Sequence, residues 1–290
     1  VAQQDTDVFV RLERFYDAVP RPDARAENIG GLVLFVREGS GFPYYARPRP
    51  GGPAPSAADI TAARARQREL DQPEAFEWVH ENNPEMLEVA RSAGLDVLFA
   101  PLMVLEQAAL VPDLPVSGAV IRALDPASAG FAADLAAARA VGHLGFGAPA
   151  SADPATVASS GLAIEPAGPR ERDLVPPPSP GSVENARDQM IEGRVVTAVV
   201  DSPVDGILAS GSYQRAGDVA EVVGVATLPA ARRRGYASQL TASLARHALT
   251  HGVHLVFLSA GDDDVARLYS RVGFRRIGTA GIAEPAASAL

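Results

Sequence analysis

Hydrophobic positions along the chain fall into two successive series of alternating elements. In the first, Val8, Leu12, Phe15 and Val19 recur near helical spacing and Pro20 ends the run, which predicts a helix over Val8–Ala18. Ile29–Val36, rich in β-branched residues and Leu and flanked by glycines, reads as a buried strand. Phe42–Arg47 reads as a second strand, and Pro48–Ala58 as a Pro/Gly/Ala loop. Asp59–Leu70 is an expected helix and Ala75–Val79 a short strand. Pro84–Ala93 is a helix with Pro in its first turn, Gly94 stops it, and Leu95–Leu105 follows as a strand.

The segment Val111–Leu114 (VPDL) marks the boundary, dividing the chain into 1–110 and 111–290. From there the pattern restarts with strand Val116–Leu124, helix Ala127–Val141 and an Ala/Pro/Ser loop from Gly145 to about Gly181. Helix Val183–Glu192 leads to strands Val195–Val200, Ile207–Tyr213 and Val219–Leu228, joined by short turns such as Asp205-Gly206. Helix Tyr236–His251, strand Val253–Ser259, helix Asp264–Arg271 and strand Phe274–Ile282 complete the series. Antiparallel strands followed by α-β-α-β give an α/β (α+β) class with a mixed sheet and helices on its faces.

Composition narrows the chemistry. At 290 residues there is room for two ordinary domains, and 47% hydrophobic with 21% charged residues is a globular balance. No run approaches the roughly 20 apolar residues of a membrane span, and VAQQDTDVFVRLERF lacks the pattern of a secretory signal. With no cysteine, disulfides, thiolate metal sites and a cysteine nucleophile are all excluded. Group transfer is then expected to run directly from donor to acceptor, and a cytoplasmic location fits. A net charge of −9 opposes nucleic-acid binding and favours cationic partners such as amines.

Against that acidic background, Arg232-Arg233-Arg234-Gly235-Tyr236-Ala237 needs a local explanation. A strand ends at Leu228-Pro229, the chain turns, and Gly235 opens a helix whose first amides lack intrahelical partners. Those amides and the helix dipole suit a pyrophosphate. Gly235 permits close backbone approach and Ala237 leaves the gap unfilled. The competing reading is a solvated basic turn. His247 and His251 share a helix face, but Ala248 stands where a zinc peptidase carries Glu, so no metal is expected there.

The neighbourhood decides between the two readings. Arg232-x-x-Gly235-x-Ala237 after a Val-rich strand resembles the acyl-CoA motif of the GNAT acetyltransferases. Asp264-Val265-Ala266-Arg267-Leu268-Tyr269-Ser270-Arg271-Val272-Gly273-Phe274 is similar to that family's helix ending in Leu-Tyr-x-x-x-Gly-Phe. The resemblance covers about Val116 to Glu284. It implies acetyl-CoA as co-substrate, in a cleft where the strand ending at Leu228 splays from the one ending at Ser259. Backbone groups of Val225, Ala226 and Thr227 would pair with the pantetheine arm. Tyr269 matches the tyrosine that protonates the departing thiolate. Asp262 stands where the family commonly places an Asn that contacts the cofactor. Glu221, eleven residues before Arg232, matches the catalytic glutamate of the histone-acetyltransferase branch. Strand periodicity places Glu221, Val223, Val225 and Thr227 on one face.

The first half repeats the succession. FEWVHENNPEMLEVARSAGL (76–95) and LVFLSAGDDDVARLYSRVGF (255–274) both read strand, turn, helix, Gly and a large apolar residue. Gly94 and Gly273 lie 179 positions apart, and the same shift puts Pro53, Ala54, Pro55 and Ser56 opposite Arg232, Arg233, Arg234 and Gly235, and Ala90 opposite Tyr269. The chain is therefore expected to be a tandem GNAT-like fold whose truncated, degenerate N-terminal copy cannot bind CoA. Tyr44, Tyr45, Trp78 and His80 are candidates to wall the acceptor site, with core packing as the competing reading. The expected activity is acetyl transfer to a primary amine, with a non-catalytic acyl-CoA-binding, sensing or partner protein as the alternative. Acceptor specificity in the family lies in the early helices, here about Phe131–Gly147 and Val183–Gly193.

Overall fold

The structure, a computed structural model, describes residues 2–41, 43–147 and 165–286. The first half runs α1 (Ala2–Ala18), the hairpin β1 (Ala24–Ile29) and β2 (Leu32–Arg37), β3 (Arg47–Pro48), α2 (Ala57–Glu69), β4 (Phe76–Val79), α3 (Met86–Ser92) and β5 (Leu95–Leu105). The second runs β6 (Val120–Ala123), α4 (Phe131–Gly147), α5 (Pro169–Leu174), α6 (Pro180–Ile191), β7 (Val195–Ser202), β8 (Gly206–Ala216) and β9 (Val219–Thr227). It ends with α7 (Tyr236–Thr250), β10 (Leu255–Ser259), α8 (Asp263–Val272) and β11 (Phe274–Pro285). No described helix is long and apolar enough to cross a membrane.

Four expectations need correction. Ile29–Val36 is not one strand, because Gly30 takes φ +55° and turns the chain between β1 and β2. Phe42–Arg47 is not a strand; Phe42 lies outside the described residues, and pairing is confined to Ala46, Arg47 and Pro48. Val116–Leu124 shortens to β6, since Gly118 sits in a turn at φ +69°. Part of the loop expected from Gly145 is helical: α4 continues to Gly147, and Pro169 starts α5 with Glu171 capping the Gly168 amide. Residues 148–164 of that loop lie outside the described residues.

Eight strands form one mixed sheet in the order β4-β11-β5-β10-β9-β8-β7-β6, and β1-β2-β3 form a smaller one. The large sheet joins the two halves by reciprocal insertion. β5 lies between β10 and β11, and β11 lies between β5 and β4, all antiparallel. The shift of 179 carries β4 onto β10, α3 onto α8, α2 onto α7 and β5 onto β11. Gly94 and Gly273 both end their helices at positive φ, +76° and +118°. At Gly273 a Cβ would also lie 2.6 Å from the Ala109 carbonyl oxygen, so the turn into β11 has no room for a side chain.

The largest core lies between the sheet and α4, α7 and α8. A second fills the first half around Phe76, Trp78, Ile60 and Met86. A third sets α1 across the sheet, with Leu12, Phe15 and Tyr16 against Val219, Leu255 and Phe257 of the second half. Phe15 and Tyr16 meet the Phe257 ring edge-on at 5.1 and 5.5 Å. Asp23 adds a polar tie, accepting from Gln189 at 2.7 Å and Arg194 at 2.8 Å. Helix α1 is thereby fixed over the point where β9 and β10 separate.

Candidate active site

Strands β9 and β10 pair in parallel only from Val219 to Glu221 and from Leu255 to Phe257. Beyond Glu221 they part. Gly224, at φ +63°, forms a bulge at which the β8–β9 register slips between Ser210 and Ser212. The bulge breaks the two-residue period, so Glu221, Val223, Val225 and Thr227 do not share one face as a regular strand would place them. Glu221, Val222 and Ala226 are buried, whereas Gly224 is exposed. The parted strands open a cavity of ≈ 1320 Å³ lined by both halves of the chain.

At one end of the cavity lies the start of α7. Arg233 and Gly235 take positive φ, +64° and +79°. Nothing lies within 4 Å of a Cβ built on Gly235, so it is the left-handed conformation that selects glycine there. No side chain caps α7, and Gly235, Tyr236, Ala237 and Ser238 line the cavity, along with Val225, Ala226 and Thr227 of β9. Arg232 and Arg233 join this lining, and Arg232 Nη2 also donates to the Gly145 carbonyl at 2.7 Å. Arg234 is exposed and lies outside the lining. The Tyr236 ring is buried and its hydroxyl donates to the Ser117 carbonyl at 3.0 Å. Asp262 reaches the cavity but caps α8, accepting from the Val265 amide at 2.8 Å.

The first half has closed the corresponding helix end. Ser56 and Asp59 form a reciprocal capping box on α2, and the Asp59 carboxylate also accepts from the Gly31 amide at 3.2 Å. A carboxylate of the chain itself therefore occupies the place where α7 is open. Ala90, opposite Tyr269, is fully buried and has no hydroxyl.

Tyr269, on α8, is buried and lines the cavity. Burial pushes its phenol up to about 12, against a smaller opposing effect of the Thr241 hydroxyl. Glu221 sits at the apex of the strand split, 7% exposed, and accepts from the Tyr16 hydroxyl at 3.1 Å. Burial above all, and then Glu77, push its carboxyl up to about 8; Arg47 and Tyr16 pull the other way.

Glu77, Arg47 and Tyr16 were not among the sequence candidates, and all three come from the first half. Glu77 on β4 is buried and ion-paired with Arg47, whose guanidinium lies 3.9 Å from the Tyr16 ring centroid. Arg47 Nη1 is buried with no hydrogen-bond partner among the described residues. The signal that could have found Glu77 is a charge inside the apolar strand FEWV, since carboxylates are seldom buried without a partner. Of the aromatic residues expected at the wall, Tyr44 and Tyr45 line the cavity. Trp78 instead packs in the core over Gly281, where a Cβ would come within 2.3 Å of its ring, and His80 lies against Phe99 with the ring centroids 4.8 Å apart and the planes tilted by 50°. His247 and His251 stack at 4.0 Å, with His247 Nδ1 bonded to the Tyr213 hydroxyl.

Residues 176–274 match the family model of the Acetyltransferase (GNAT) family. The whole fold is similar to a GCN5-related N-acetyltransferase from Kribbella flavida (23% identity, 95% of each chain covered, TM-score 0.64). It is also similar to a tandem GNAT protein from the clavulanic acid biosynthesis pathway (13% identity, 89% of this chain and 79% of that one, TM-score 0.51). A GCN5-related N-acetyltransferase-like protein from Streptococcus suis matches at 12% identity over 96% and 98% of the two chains, with a TM-score of 0.52. No curated protein matches the sequence.

Proposed function

We propose that this chain, which carries a GNAT-family acetyltransferase domain, moves an acetyl group from acetyl-CoA to a primary amine by direct attack. The observation that carries the reading is one cavity that joins an uncapped helix N terminus to a buried phenol and a buried carboxyl of raised pKa. We assign donor binding and chemistry to 111–290 and the acceptor wall to 1–110, in a cytoplasmic setting.

In this reading the pyrophosphate lies on the first amides of α7, with Arg232 and Arg233 beside it, and the pantetheine arm follows Val225–Thr227. Arg234 contributes its place in the turn. Asp262 acts through the cap that starts the helix of Tyr269. Glu221, in its ionised form and so increasingly as pH rises toward about 8, takes a proton from the acceptor ammonium. A lysine-like amine titrates near 10.4, so transfer to an ordinary glutamate would be uphill by about 8 kcal/mol; to a carboxyl near 8 it is uphill by about 3 kcal/mol. The freed amine nitrogen attacks the thioester carbonyl, the carbon–sulfur bond breaks and sulfur leaves as thiolate, and the second proton, which the nitrogen sheds on becoming an amide, neutralises that sulfur as the free CoA thiol. Tyr269 keeps its proton at working pH and offers it to that sulfur, its main effect being a hydrogen bond to the charge that develops there.

Calorimetric titration with acetyl-CoA tests this, followed by thiol release on adding amines. One site per chain and amine-dependent release are expected. Two sites would make the first half a second donor site, and binding without transfer to any amine would favour an acyl-CoA-binding module. Absence of binding by folded protein would sink the transferase reading.

A further inference from the structure

We propose that the acceptor is a monocationic primary amine on an aromatic or apolar body, received with its ammonium between Glu77 and Glu221 and its body against Tyr44 and Tyr45. The inference rests on the acyl-transfer reading and adds the acceptor class to it. Its first support is the charge balance of the buried nest. Two carboxyls face one guanidinium there: Arg47 pairs with Glu77, while Glu221 has the Tyr16 hydroxyl and no ion pair among the described residues. Once Glu221 is ionised the nest is one positive charge short, and a single ammonium supplies it.

The second support is the origin of the charges. Under the 179-residue shift Glu77 matches Val256 and Arg47 matches Ala226, so the first half carries a buried ion pair where the second is apolar. A buried ion pair seldom adds stability over an apolar pair of similar volume. Its place in the cavity lining beside Glu221 gives it a use instead. The Tyr45 phenol is raised by burial and then by Glu77 and Glu284, which sets that ring among the carboxylates. Tyr44 is half-buried beside it, with the Arg37 guanidinium 4.2 Å from its ring centroid. Arg37 and Arg271 line the same cavity against Asp262 and Glu284, so beyond the nest these charges offset one another and a polyamine gains nothing from its additional charges. An anionic acceptor would meet Glu77 and Glu221.

Phenethylamine, titrated calorimetrically into protein saturated with CoA, is the probe, so that binding is read without turnover. The wild type should bind it, and bind spermidine no more tightly. Glu77→Gln should lose about tenfold or more in phenethylamine affinity while its acetyl-CoA affinity holds. Should that variant fail to fold, Tyr45→Ala, at a partly exposed position, should weaken phenethylamine about fivefold and leave methylamine unchanged. Absence of phenethylamine binding, equal affinity in Glu77→Gln, or tighter binding of spermidine each overturns the proposal. Phenethylamine bound through Glu77 without amide formation would keep the subsite and remove the transferase reading. Amide formation indifferent to Glu77 and Tyr45 would do the reverse.

Discussion

A carboxyl buried beside a second carboxyl ionises far from where it would in the unfolded chain, and for Glu221 this links protonation to stability. Unfolded, it would ionise near 4.5; folded, among Glu77, Arg47 and Tyr16, it holds its proton up to about 8. Between those values the native state binds a proton that the unfolded state has released. Stability should therefore fall as pH rises through the window, by up to about 1.4 kcal/mol per pH unit, and level off above it. Glu221→Gln removes that dependence, so its stability relative to wild type should be greater at pH 8.5 than at pH 5. Denaturant midpoints at the two pH values measure this, and a constant difference would refute the buried-proton assignment. Tyr269→Phe keeps the ring in its packing and removes only the hydroxyl. Turnover should fall by about 10²–10³-fold with acetyl-CoA affinity unchanged, and normal single-turnover transfer would return Tyr269 to a packing role. Motif spacing marks both residues as candidates, and both line the cavity. Tyr16, Arg47 and Glu77 were not legible, because what brings them to Glu221 is the order of strands in the sheet and the seating of α1, which no local spacing encodes.

At the scale of elements, legibility followed the strength of the periodic signal. Leu95–Leu105 was read to its ends because Gly94 bounds it and its apolar residues are nearly continuous, as suits a strand paired on both sides. Strand β1, ARAENI, was missed because its outward positions are polar and its pairing is with β2 alone. The bulge at Gly224 was missed for a different reason. A lone glycine in an apolar strand signals a possible bulge, but only the slipped register with β8 shows which side chains change face. The contrast between α2 and α7 was half legible: the prolines before α2 argued against an anion site, while the closure itself depends on Asp59 reaching both Ser56 and Gly31. A helix start is thus an anion site or a self-satisfied cap according to one acidic side chain in its first turn.

At the scale of the whole molecule, the sheet crosses the division at residue 110, and its consequence is an expected loss of independence. A fragment of 111–290 would retain β10 and β11 but lose β5 from between them, leaving facing strand edges unpaired. It would also lose α1, uncovering Val219, Leu255 and Phe257. A fragment of 1–110 would lose β11 from between β4 and β5, and with it the backbone beneath the Trp78 ring. Each fragment alone should be aggregation-prone and without acetyl-CoA affinity; produced together as two chains, they should recover a soluble complex that binds it. The intact chain should unfold in one transition. Trp78 is its sole tryptophan and lies in the first half, so its fluorescence follows that half while far-ultraviolet circular dichroism follows both. Coincident midpoints are expected in denaturant. Separated midpoints, or a folded 111–290 that binds acetyl-CoA unaided, would mean that the inserted strands are dispensable. Coincidence would explain how a half whose α2 start is closed by its own Asp59 stays necessary: it completes the sheet on which the cleft is built, and it holds Tyr16, Arg47 and Glu77 against the apex where Glu221 sits.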